Sequence, residues 1–133
     1  MTELDQALAA LNANPEDPKA RMDFYGRFLH TIFFVPIQKI KSLVEGVEKE
    51  VELPLIIEND GSDFLVFFDD QKRLNVWAEK HAPCVQMPGY AIAEISSPGV
   101  WWAMNVGTAH DKQFNPDEIA WLKDVLARSK GAA

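Results

Sequence analysis

Pro54-Leu55-Ile56-Ile57-Glu58-Asn59-Asp60-Gly61-Ser62-Asp63-Phe64-Leu65-Val66-Phe67-Phe68-Asp69-Asp70 is the stretch on which the fold turns. It reads as two strands, Leu53 to Glu58 and Asp63 to Phe68, rich in β-branched and aromatic residues. Asn59-Asp60-Gly61-Ser62 is the turn between them, and Gly61 can take the positive φ such a turn requires. Leu55-Ile56-Ile57 and Phe64 to Phe68 are continuous in apolar residues rather than alternating, which predicts burial on both faces of a sheet. Helices are therefore expected on both sides. Asp69 or Asp70 then caps a helix carrying Leu74, Trp77, Ala78 and His81 at helical spacing.

Downstream, Cys84 to Met87 reads as a short strand, Tyr90 to Ile95 as a short helix after Pro88-Gly89, and Val100 to Met104 as a strand after Ser97-Pro98-Gly99. Asn115-Pro116-Asp117-Glu118 is a helix start with a capping residue, a proline in the first turn and acids behind it. Ile119, Trp121, Leu122, Val125 and Leu126 are expected to line that helix's buried face. Upstream, Leu4, Ala7, Leu8 and Leu11 mark a first helix. A second begins at Asp17-Pro18, with Met22, Tyr25, Phe28, Leu29 and Ile32 as its apolar stripe. Ile32 to Val35 reads as a strand. Between Pro36 and Glu52 the apolar positions Ile37, Ile40, Leu43, Val44 and Val47 suit a helix that Gly46 weakens, so an irregular or partly helical segment is expected. The sum is an α+β domain, a mixed four- to five-stranded sheet flanked by helices on both faces. Residues 1–17 form an N-terminal helix and connection, and 18–133 the main part of one compact domain.

The composition is that of a globular chain: 133 residues, 47% hydrophobic and 25% charged. A net charge of −7 repels phosphate backbones, and the basic residues are scattered, so nucleic acid and anionic membranes are not expected partners. A basic protein partner fits that charge. One cysteine, Cys84, forbids an internal disulfide. The first residues show no basic region followed by an apolar run, and no apolar run is long enough to span a bilayer, so a cytoplasmic location is expected.

The order of several motifs resembles the N-terminal domain of the SseB (enhanced serine sensitivity) family. They are Phe24-Tyr25, Val35-Pro36, Pro54 to Gly61, Phe64 to Phe67, Leu74 with Trp77, Met87-Pro88-Gly89, Asn105-Val106-Gly107, and Phe114-Asn115-Pro116-Asp117-Glu118-Ile119-Ala120-Trp121-Leu122. The resemblance runs from about residue 20 to residue 127. It implies a cytoplasmic bacterial protein with a mixed α/β fold and names no reaction or catalytic residue. It also implies that this chain is the N-terminal module alone, since many relatives carry a second domain. Val106 stands where the family usually has proline before the turn glycine.

The residue pattern names no catalytic group, no metal ligand set and no cofactor. Glu58, Asp60, Asp63, Asp69 and Asp70 gather about one hairpin but sit at its two ends, where turn and capping roles explain them. His30, His81 and His110 lack zinc-type spacing. Cys84, between Pro83 and Val85 on an apolar strand, reads as a buried, unreactive thiol. Trp101-Trp102 is the unusual feature. Strand neighbours face opposite ways, so Val100, Trp102 and Met104 point to the core and Trp101, Ala103 and Asn105 away from it. Either a helix covers Trp101, as the burial expected on both faces of the hairpin strands suggests, or Trp101, with Asn105 and His110, is the partner-binding group. Three functions stand open: a non-catalytic protein-interaction or regulatory module, an immunity or antitoxin-like protein that binds a basic partner, and a small enzyme using Cys84 or His110. A second copy of the chain is a further candidate partner.

Overall fold

A computed structural model describes residues 2–131. In chain order the elements are α1 (Glu3–Ala13), α2 (Pro18–His30), β1 (Ile32–Val44), β2 (Val47–Pro54), β3 (Ile56–Asn59), β4 (Ser62–Phe67), α3 (Gln71–Ala78), β5 (Cys84–Pro88), α4 (Gly89–Ile95), β6 (Trp101–Met104), β7 (Lys112–Phe114) and α5 (Pro116–Gly131). The α+β class holds. The strands form two sheets, β2-β1-β5 and β3-β4-β6-β7, instead of the single sheet expected. The sheets are joined where Phe34 and Phe68 exchange two backbone hydrogen bonds, at 2.7 and 3.0 Å. All neighbours are antiparallel except β4 and β6.

The segment expected to be irregular or partly helical is a β-hairpin. β1 runs on to Val44, turns through Glu45-Gly46, and returns as β2 in a register from Val44↔Val47 to Ile37↔Pro54. Glu45 and Gly46 both have positive φ, 53° and 77°. This is the two-residue turn whose twist matches a hairpin. Glycine meets the second position without steric cost. The alternation Val47, Lys49, Val51, Leu53 against Glu48, Glu50, Glu52 has the period of a strand.

Four helices cover one side of the sheets. Leu4, Leu8 and Leu11 of α1, Phe24 and Phe28 of α2, Ile92 of α4, and Ile119 and Leu122 of α5 share a core with Phe33, Leu65, Phe67, Trp102, Met104 and Phe114. Trp102 is its centre: fully buried, with Phe28, Phe67 and Phe114 ring centroids 5.4, 5.8 and 5.1 Å away. Its Nε1–H donates to Ser96 Oγ at 2.7 Å, so the indole carries no unmet polar atom. α4 starts hard against the end of α2. Gly89 N–H donates to Thr31 O at 3.0 Å, and a Cβ on Gly89 would lie 2.1 Å from Phe28 O.

Two expected stripes shift in phase. Met22 is 76% exposed and Phe24 takes its place in the core. Trp121 is 43% exposed and rests edge-on against Tyr25 at 5.0 Å, while Ile119 and Leu122 are buried as expected. Ile32 is exposed where it leads into β1. Among the described residues, the other side of the sheets carries only α3, whose Leu74 and Trp77 pack with Phe68, Phe34 and Cys84 at one end.

Candidate functional site

Alternation along β6 sends Trp102 and Met104 into the helix-covered core and Trp101 and Ala103 to the side bearing α3. The strand register sets Ile57, Phe64 and Trp101 side by side across β3, β4 and β6. Phe64 and Trp101 are in contact, with ring centroids 5.6 Å apart. Both are partly exposed. A second row, Val66, Ala103 and Gln113, lies beside the first. Because α3 stops at Ala78, it walls this face with Trp77 without closing over it. The result is an open concavity of about 310 Å³ over Ile57, Phe64, Val66 and Ala103, with Trp77 and Val106 at one side and Glu58, Asp111 and Lys112 among its polar lining. Lys112 is paired with Glu118 at 3.3 Å. Trp101 stands beside the concavity, next to Phe64.

The proposed trio of Trp101, Asn105 and His110 is not brought to one place. Asn105 and His110 meet at the far end of β6, joined by Thr108: its hydroxyl donates to Asn105 O at 2.8 Å and accepts from His110 N–H at 3.1 Å. Asn105 is fully buried, with φ of 53°, and its Oδ1 accepts from Asp69 N–H at 3.0 Å. Its Nδ2 has no hydrogen-bond partner among the described residues. It holds the loop and presents no surface. Trp101 alone of the three lies on the open face.

Around that loop sits a polar cluster that sequence reasoning missed. Arg73 of α3 donates to Asp5 of α1 at 2.6 and 2.9 Å and to Asp69 at 2.8 Å. Asp5 is buried and also closes a capping box with Thr2. Burial alone would push the Asp5 carboxyl up. The Arg73 guanidinium, the Thr2 N–H and the nearby His110 outweigh it and hold the carboxyl at about 2. The Arg73 guanidinium is correspondingly pushed up by its bond to Asp5. The only sequence signal for this bridge was Thr2 three residues before Asp5, a capping pattern.

The remaining candidates fall elsewhere. Glu58 and Asp63 pair across the β3–β4 hairpin, and Asp70 caps α3 by accepting from Lys72 N–H at 2.6 Å. Among the described residues no group of three or more His, Cys, Asp or Glu could hold a metal ion. Cys84 is partly buried, its thiol donates to Gln71 Oε1 at 3.3 Å, and burial pushes its pKa up, which lowers the thiolate fraction a nucleophile needs. No described helix is long and apolar enough to cross a membrane.

The β1–β2 hairpin continues the open side of the molecule. Phe34 points to the α3 side, so by alternation Ile40 and Val44 of β1, with Val51 and Val47 opposite them and Leu53 beyond, point the same way. All five are exposed, between 37% and 56%. The hairpin's other face is charged, with Lys39 beside Glu50 and Lys41 beside Glu48, each pair at 3.6 Å.

A family model described as SseB protein N-terminal domain matches residues 4–121. The match takes in α1, upstream of the motifs that carried the resemblance. No curated protein and no solved structure matches the chain.

Proposed function

Since this chain belongs to the SseB family, whose N-terminal domain it matches over residues 4–121, we propose that it is a protein-interaction module. It binds through the side of its sheets that the four helices leave open. The observation that carries this reading is the partly exposed row Ile57, Phe64 and Trp101 beside an apolar concavity. Tryptophan is among the residues that dominate binding energy at protein interfaces, where it fills well-packed, desolvated pockets. A contiguous apolar surface with a polar rim marks an interaction site more often than chance exposure. The cytoplasmic location implied by the family resemblance goes with this reading.

The test is a capture experiment from cells that naturally make the protein, with quantitative mass spectrometry. Wild-type chain is compared with Trp101→Ala and with Met22→Ala, a change at an exposed residue on the helix side. At least one protein held by wild type and by Met22→Ala is expected to fall tenfold or more with Trp101→Ala, the effect of losing about 1.4 kcal/mol or more of binding. Identical captured sets for all three would end the reading.

A further inference from the structure

We propose that the outer edge of β2, residues Val47–Pro54, takes up an extended segment of a partner protein in which basic and apolar residues alternate. This rests on the protein-binding reading above and narrows the partner to one chemical class.

The backbone supplies the first reason. Val44 and Val47 close the two-residue turn as a hydrogen-bonded pair. Bonded and non-bonded pairs then alternate along an antiparallel ladder. The same register makes Leu55 N–H donate to Pro36 O at 2.9 Å, which fixes the phase. The N–H and C=O groups of Lys49, Val51 and Leu53 therefore point toward β1, and those of Glu48, Glu50 and Glu52 point away. β2 has β1 as its sole neighbour in the sheet, so among the described residues no strand pairs with its outer edge. Such an edge is a template for strand addition unless something blunts it. No proline interrupts it between Val47 and Leu53, and the bulge-free register gives it eight residues of length.

Charge supplies the second. On one face the rows run from Lys39 and Lys41 on β1 to Glu48, Glu50 and Glu52 on β2. A third strand carrying lysine or arginine on that face continues the alternation, with each added cation beside a glutamate. On the other face Val47, Val51 and Leu53 are 56%, 37% and 42% exposed, so the segment's alternate residues should be apolar. Lys49, opposite Ser42, asks for one polar residue in the middle of that row.

The same pattern disfavours a second copy. Two β2 edges meeting would set glutamate against glutamate. A second copy's β1 edge would bring Lys39 and Lys41, but that contact is head-to-tail and generates rings or open-ended chains, not a closed pair.

The probe is an end-capped nonapeptide alternating lysine and valine, with threonine at the central valine. It is compared with its glutamate-for-lysine counterpart and with a version N-methylated on every second residue. Affinity is read by fluorescence anisotropy, and amide exchange by NMR. The lysine peptide should bind at least tenfold tighter than the glutamate peptide and slow exchange of the Glu48, Glu50 and Glu52 amides. The N-methylated version should lose binding. The variant K39E/K41E/E48K/E50K/E52K keeps its cross-strand pairs and should reverse the preference. No binding, equal binding of both peptides, undiminished binding of the N-methylated form, or protection of the same amides by self-association without peptide would each overturn the proposal. The assay is separable from the capture test. Partner loss in Trp101→Ala without peptide binding sinks strand addition alone, whereas peptide binding with undiminished capture sinks the open-face reading alone.

Discussion

Trp101 and Trp102 are neighbours on one short strand, and they belong to two different regions. Trp102 sits under four helices, ringed by Phe28, Phe67 and Phe114, with its N–H satisfied by Ser96. Trp101 shares its side of the sheet with a single two-turn helix and leans on Phe64 at the edge of an open concavity. The first region accounts for why the chain folds. The second has apolar surface that folding does not use, and it extends onto a hairpin whose valines face water. The lesson is that alternation on a strand assigns a side, while the elements stacked on each side decide whether it becomes core or contact surface.

The sharpest way to break this contrast is truncation on the helix side. Trp102→Ala removes a fully buried indole and should cost about 3–5 kcal/mol, or prevent soluble expression. Urea midpoints measure it.

Next in size is the bridge where the two regions meet at the end of the sheet. Asp5 is held at about 2 from an ordinary value of 3.8. Its folded carboxyl gives up its proton more readily than the unfolded one, so the stabilisation is complete above the ordinary value and is lost as pH falls toward 2. The loss should be about 2–3 kcal/mol. Urea melts across that window should show it, and Asp5→Asn should remove that part of the slope. An unchanged slope in the variant would mean that the bridge does not couple to folding.

Gly89→Ala tests the closeness of α4 to α2 on the helix side. The new Cβ meets backbone, Phe28 O at 2.1 Å, which cannot rotate aside. A loss of about 2 kcal/mol is expected from overpacking, read as a lower thermal midpoint. No change would mean that the two helices have slack.

The smallest effects belong to the open region. Trp101→Ala should cost about 1 kcal/mol, the contact with Phe64 being its main loss. Val51→Ser on the hairpin should stay within about 0.5 kcal/mol. If Trp101→Ala matched Trp102→Ala in its urea midpoint, the two regions would not be distinct.

Much of the helix-covered region was legible in the sequence. Capping residues fixed two helix starts: Lys19 N–H meets Asp17 Oδ1 at 3.0 Å, and Glu118 N–H meets Asn115 Oδ1 at 2.8 Å. Of the run Phe64 to Phe68, Leu65 to Phe68 are buried as continuity predicted, but Phe64 is only partly buried. In Leu55-Ile56-Ile57 no residue is buried, Ile56 being 41% exposed, because β3 is an edge strand that no described helix closes over. The hairpin of β1 and β2 was not legible. Ile37, Ile40, Leu43, Val44 and Val47 match a helix by spacing, and because no residue from Ile37 to Leu53 is buried, nothing constrains the pattern there toward strict alternation. The usable signal was Glu45-Gly46 followed by valine and glutamate at period two. β7 has three residues, too few for periodicity to register. The Asp5–Arg73 bridge joins positions 68 residues apart, which no local pattern encodes. Of the residues offered as a candidate site, strand alternation placed Trp101 on the side away from the helix-covered core, while Asn105 is buried where the chain leaves the strand with positive φ.

The most direct measurement is hydroxyl-radical footprinting of the chain, free and bound to a protein it captures from its own cells. Oxidation is read residue by residue by mass spectrometry. Protection is expected at Trp101, Phe64 and Val51, with Met22 and Trp121 on the helix side unchanged. Protection at Met22 and Trp121 with Trp101 still reactive would contradict the account, because the partner would then be seated on the helices and the open side of the sheet would not be the binding surface.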